Sequence, residues 1–423
     1  MATSLTLPRR KLSSTLLPWI VWGMSSLFVT YQMLLQTAPS VMIADLQQAF
    51  NVDTFGVSLL SSSFFYTYML FQIPSGMLID RVSPRYCLTL CLLGIAAMSF
   101  MFVGAETLWA AKGSRIMQGV FSAPSVVPAL YLAANWFPAK RFALLAGLTE
   151  MIGMMGAALG QAFLAPCVST FGWRSTIMAC ACIGIGLAVL MFIVIRDKPT
   201  EESSAIPKHK THIFQDLYTV IKYPQAWLNG IFCGLLFSIA AAFGSFWCIP
   251  YLQQVYSVSL DVAAAASSMT LLGVALGAPA LGWISDKIGL RRLPMIASTA
   301  IVFTLMLVIL YVPNVRLPLM FILLFLLGFF SSAYALSFAV MRDLMPDHVR
   351  GTAMGYTNLM CILIGAPLLQ PLIGWVLDQR LAVVADPSMA YQEALSVLPI
   401  CLGLGLLLAC LVKETHCGRK SVE

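Results

Sequence analysis

Gly76-Met-Leu-Ile-Asp80-Arg81-Val-Ser-Pro-Arg85 and Gly282-Trp-Ile-Ser-Asp286-Lys287-Ile-Gly-Leu-Arg291 are two versions of one pattern, with Asp80 and Asp286 lying 206 residues apart. Each is a short charged loop that follows an apolar run. A second echo keeps nearly the same distance: Pro138 and Gly147 answer to Pro346 and Gly355, 208 residues on. Two echoes at nearly one offset mark an internal duplication, so the chain is expected to consist of two related halves.

The composition says which solvent those halves meet. Of 423 residues, 59% are hydrophobic and 10% charged, with a mean hydropathy of +0.86. Apolar content at this level exceeds what a water-soluble fold hides. Stretches of about 20 apolar residues, each long enough to cross a hydrocarbon core of about 30 Å, recur along the chain. They predict an all-α membrane protein with twelve spans, at about 16–43, 55–78, 86–104, 108–134, 142–166, 173–195, 225–250, 259–284, 293–312, 318–342, 351–376 and 392–412.

The polar stretch from Arg196 to Lys222 separates the sixth span from the seventh. The expected organisation is a six-helix bundle over 1–195, a linker over 196–224, and a second bundle with a tail over 225–423. An even number of spans puts both termini on one side. With that side cytoplasmic, 20 of the 25 Lys and Arg residues fall in cytoplasmic segments, and only Lys112, Arg115, Arg174, Arg316 and Arg380 remain. The net charge of +7 is thereby explained by topology; no nucleic-acid stripe is needed. Arg9, Arg10 and Lys11 precede an apolar run that is too long for a cleaved leader, so it reads as a retained first span. The eleven cysteines lack metal-site spacing and read as small core residues.

The doubled G-x-x-x-D-[RK]-x-[GS]-x-[RK] loop, after the second and eighth spans, resembles the major facilitator superfamily. That resemblance implies two pseudo-symmetric six-helix bundles that work by alternating access. It also makes Gly76, Asp80, Arg81, Arg85, Gly282, Asp286, Lys287 and Arg291 a gating motif. Gly76 and Gly282 would allow close helix approach, and each carboxylate would cap a helix of the opposite half. By the resemblance, Asp80 meets the start of the eleventh span and Asp286 the start of the fifth. Arg115-Ile-Met-Gln118-Gly119 is similar to a second motif of the superfamily, which carries an arginine inside the bundle.

An arginine in the membrane is costly unless it is paired or wet, so Arg115 is expected to pair helices or to serve the substrate, with outward snorkelling as the bland reading. Glu150 is the acidic residue deep in an apolar span, about 13 Å of helix from Arg141. Its repeat mate at an offset of 208 is Asn358. Glu150 is the candidate for carrying a proton or holding a substrate amine; a structural hydrogen bond is the competing reading. Gln36-Thr-Ala-Pro39-Ser-Val-Met resembles a nutrient-permease pattern with glutamine in place of its arginine. Gln36, Tyr66 and Trp247 complete the list of cavity candidates.

The branch resemblance, to bacterial nutrient permeases related to a lysosomal dipeptide uniporter, implies a small polar solute, with an amino acid or short peptide first. Export of drugs or a siderophore is the alternative within transport, and a transport-dead sensor lies outside it. Enzyme chemistry is poorly supplied, because His209, His212, His348 and His416 all lie in polar segments and no GxxxxGK[ST] sequence occurs. No cofactor is expected. The chain is expected to work as a monomer in a bacterial inner membrane, with lipid, its solute and protons as partners.

Overall fold

The computed structural model describes residues 16–72, 74, 75, 82–137, 142–195, 213–346 and 349–416. Gly76, Asp80 and Arg81 therefore lie outside the described residues. Among the described residues there is helix and no strand, and helix occurs in each of the twelve expected windows. They are α1 (Leu17–Thr37), α2 (Thr54–Leu70), α3 (Pro84–Val103), α4 (Leu108–Ser122, resuming as Val126–Trp136), α5 (Phe142–Phe171) and α6 (Trp173–Val194). The second set is α7 (Pro224–Tyr256), α8 (Leu260–Ile288), α9 (Arg292–Tyr311), α10 (Leu317–Leu344), α11 (Thr352–Leu381) and α12 (Pro387–Leu411). Nine described helices are long and apolar enough to cross a bilayer, ten if α1 and the short helix after it count as one span. α2 is short and α4 is interrupted, so neither is counted among them.

Local chemistry ends these helices where the chain must turn. Asp53 caps α2 by accepting from the Gly56 N–H at 2.7 Å. α8 stops at Gly289, whose φ of 76° suits glycine, and its N–H returns to the Ser285 carbonyl.

Packing repeats with the sequence. In the first half α1 lies on α5, α2 on α4 and α3 on α6. In the second α7 lies on α11, α8 on α10 and α9 on α12. Adding six to each label of the first set yields the second. The halves meet along α5 with α8 and α2 with α11, a pair of seams related by the same rule. Glycines let the partners touch: a side chain at Gly119 would run into the Phe64 carbonyl of α2, and one at Gly328 into the Thr270 carbonyl of α8.

Three spans depart from a straight helix. α1 ends in a tight turn, Ala38–Val41, and the chain bends by 68° into the short helix Ile43–Phe50. α7 widens into a π-helical segment at Ile239–Trp247, and α11 does so at Ile364–Leu368 around Pro367. The end of the bundle that holds Ser40, Thr54 and Asp378 is called the far end; the end with Arg291 and Glu414 is the near end.

The expected linker is partly structured. Ile213–Ile221 is helical, and its Leu217 and Val220, three residues apart, pack on Met341, Met345 and Val349. The polar residues of 196–212, which lie outside the described residues, mask this stripe in a composition average. Among the described residues nothing stands within 4 Å of a side chain placed at Gly282.

Candidate functional site

Glu150 lies on α5, near the middle of the bundle, and faces a cavity of about 240 Å³. Met151 and Met154 of α5, Val274, Ala275, Ala278 and Pro279 of α8, and Tyr334 and Ala335 of α10 complete its described lining. The cavity is therefore shared between the halves. Small residues on α8 leave the volume, since Ala275 and Ala278 project no further than a methyl. Around it, Tyr68 of α2, Tyr334 of α10 and Cys361 of α11 lie within electrostatic range of the Glu150 carboxylate. Four spans from both halves thus converge on one acidic group.

A polar thread leads away from it through the first half. Tyr68 lies beside Ser125, whose hydroxyl donates to Gln32 Oε1 at 3.5 Å, and Gln32 Nε2 donates to Gln36 Oε1 at 2.8 Å. Gln36 is joined to the centre through these links, at a distance from the cavity lining. Its own carbonyl accepts from Arg115.

Arg115 is 3% exposed. Its guanidinium donates to the carbonyls of Leu35 at 3.1 Å and Gln36 at 3.3 Å, and to Gln118 Oε1 at 3.0 Å, while lying over the Phe64 ring. It turns inward and pins the end of α1, where the helix breaks and main-chain oxygens lack helical partners. The snorkelling reading is overturned, because the side chain finds its donors' partners inside the bundle.

Three other candidates stand elsewhere. Tyr66 donates across the α2–α11 seam to the Pro367 carbonyl at 3.2 Å. Trp247 is fully buried in the π-helical segment of α7 and donates to the Gln370 carbonyl. Asn358 is half-buried on α11 and does not line the cavity with Glu150.

The seams are fastened toward the far end. Asp378 of α11 accepts from the backbone N–H groups of Thr54 at 3.3 Å and Phe55 at 2.7 Å, capping α2 from the opposite half. Ser62 donates to Gln370 Oε1, Gln161 Nε2 to the Gly244 carbonyl at 3.0 Å, and Ser268 to the Ala158 carbonyl at 2.8 Å. Gln161 also donates to Ser40 in the α1 turn, and Gln370 to the Ala241 carbonyl. Residue reasoning missed these two glutamines, which lie 209 residues apart, one more than the repeat offset of 208 in these spans, with the π-helical segment of α11 in between.

At the near end, Asp286 pairs with Arg291 at 2.7 Å within its own loop, and its side chain is largely exposed. Arg291 also donates to Ser285 and lies 3.7 Å from Asp343 of α10. Residues 138–141, ahead of α5, lie outside the described residues, and among those described Asp286 pairs inside the second half. The reason is proximity: a five-residue turn brings Arg291 back onto Asp286. Glu414 accepts from the Arg291 and Arg292 N–H groups, both at 2.8 Å, and so caps α9. Burial pushes its carboxyl up, but bonds from the N–H groups of Arg291, Arg292, His416 and Thr415 outweigh this and hold it below its usual value. Arg85 lies over the Phe192 ring, and Lys287 over the Trp283 ring.

The chain resembles several characterised proteins. It is 23% identical over 393 residues to a D-galactonate transporter of Escherichia coli, covering 85% of this chain and 88% of that one. It is 25% identical over 250 residues to the membrane sensor protein UhpC of Escherichia coli, a match to 55% of this chain that spans only about half of the relative, 56%. Among solved structures, a bacterial homologue of the lysosomal transporter Spinster, inward-facing and unoccupied, superposes with a TM-score of 0.80 at 17% identity over 96% of this chain and 99% of that one. The nucleoside transporter NupG superposes with a TM-score of 0.75 at 15% identity over 94% and 98%. The family model of the Major Facilitator Superfamily matches residues 23–370. With two bundles that pair alike, seams at α5–α8 and α2–α11, and that match over most of its length, the chain belongs to the Major Facilitator Superfamily.

Proposed function

We propose that this chain carries a small polar solute, an amino acid or short peptide in the first place, across a membrane by rocking residues of about 1–195 against those of about 225–412. Membership of the superfamily carries the coarser activity, transport of a small solute without enzyme chemistry. The observation that carries the finer reading is the Glu150 cavity, walled by α5 of one half and by α8 and α10 of the other. A carboxylate there can hold a substrate ammonium or a proton. Hydrogen bonds between the halves gather toward the far end, as in a state whose cavity communicates with the near side. The excess of Lys and Arg assigns the near side to the cytoplasm, and with it both termini. A bacterial inner membrane suits this topology, with residues 196–224 as the cytoplasmic connection and a monomer as the working unit.

Uptake of labelled amino acids and dipeptides by the purified protein in liposomes tests the reading. Saturable uptake is expected, and Glu150→Gln should lower it at least tenfold while flattening its pH dependence. Unchanged pH-driven accumulation in that variant would remove Glu150 as the proton carrier. A second reading, a sensor, draws on the similarity to a membrane sensor protein. Solute binding with no flux in the same liposomes would favour it.

A further inference from the structure

Resting on the transporter reading, we infer that the Glu150 cavity recognises its solute by an ammonium group on an apolar body and offers no positive charge to a carboxylate or other anion. Glu150 is the sole charged residue in the described lining; its neighbours there are two methionines, small aliphatic residues, a proline and Tyr334. Glu150 is exposed to the cavity, and among the described residues no cation and no hydrogen-bond donor meets its carboxylate, so the charge stands open to a positive partner.

The buried cations are committed elsewhere. Arg115 spends its donors on Leu35, Gln36 and Gln118, and lines a separate, tiny crevice with Ala38, Met42 and Ile177. Arg291 is bound to Asp286 and Ser285 at the near end. Neither can turn to an anionic solute without stranding a buried main-chain or carboxylate oxygen.

The rest of the wall suits an alkylammonium. Tyr334 lines the cavity and is braced edge-on by Phe237 at 4.9 Å between ring centres. Tyr68 lies within range of the same carboxylate and stacks on Phe64. An aromatic face beside a carboxylate attracts an ammonium from two directions, and Met151 and Met154 adapt to an apolar body of variable shape.

Binding by the full-length purified chain, read by thermal shift and by competition, tests this with five probes: phenylethylamine, leucinamide, leucine, N-acetylleucine and D-galactonate. The amine and leucinamide should bind at least as well as leucine, while N-acetylleucine and D-galactonate should bind at least tenfold more weakly. Glu150→Gln should cost the amines at least tenfold in affinity, and Glu150→Asp, which keeps the charge, should keep the preference for amines. Binding of N-acetylleucine or D-galactonate on a par with the amines, or an unchanged amine affinity in Glu150→Gln, overturns the inference. Saturable liposome uptake of such an anion would then leave the transporter reading standing. No binding and no saturable flux for any probe would bring down both.

Discussion

Arg115 and Glu150 are two charges deep in the bundle, and they are held in opposite ways. Arg115 donates to two main-chain carbonyls and one amide oxygen at the end of α1, so its charge is largely met in place, with its buried Nε left without a partner among the described residues. Arg115→Met should lower the thermal stability of the solubilised protein by about 2–4 kcal/mol, since it strands buried acceptors of a charged donor. Arg115→Lys should recover little of that, because one ammonium cannot span the three oxygens as a planar fork does. Glu150 faces open volume and no described donor, the signature of a group awaiting a partner. Both were legible in the sequence as charges within apolar runs. What separated them was less so: Pro39, which has no N–H to return to the Leu35 carbonyl, marks the helix break but not the side chain that claims the freed oxygen. Outside the membrane, Glu414 offers a pH test. Its native carboxyl lies below the unfolded value of about 4.3, so its stabilisation is complete above that value and is lost as the pH falls through the native one. The gap in melting temperature between the parent protein and Glu414→Gln should therefore be full near neutrality and close in acid.

Apolar windows gave the helices readily, because about 20 residues without charge have few other fates. The interior irregularities escaped. A π-helical segment asks for one extra residue per turn and for no particular side chain, so Ile239–Trp247 looks like any apolar run. Its widened carbonyls are met by Gln161, Ser267 and Gln370. Those two glutamines could have been found by extending the repeat comparison beyond the charged loops. Tyr66 and Trp247, singled out as cavity candidates, donate to the Pro367 and Gln370 carbonyls, a placement that aromatic type alone does not give. Between elements, the carboxylate of Asp378 is a cap donated by α11 to α2. Loss of such a cap costs about 1–2 kcal/mol, so Asp378→Ala should raise the population open at the far end by about 5–30-fold. A Ser62→Cys probe in the seam, treated with a membrane-impermeant thiol reagent from the far side, should be modified faster by that factor in the Asp378→Ala background.

For the whole molecule, the pairing rule that carries α1–α5 into α7–α11 extends to the seams, so both halves can move as units about two related contacts. A cross-link tests whether they must. A Cβ built at Gly374 of α11 stands 3.2 Å from the Ser58 Cβ of α2, close to the spacing a disulfide takes. The double variant Ser58→Cys, Gly374→Cys should lose transport under oxidation and regain it with reductant, while either single variant stays active in both conditions. Of the two charged loops that announced the duplication, one brings Asp286 onto Arg291 of its own half, and Asp80 of the other lies outside the described residues. The seam itself is fastened chiefly by amide and hydroxyl groups on main-chain oxygens, with Asp378 as the sole carboxylate among its described bonds. Bonds between neutral dipoles feel little of the ionic atmosphere. Brine or fresh water on that face would therefore grip the closed form almost equally, leaving its release to whatever occupies the centre.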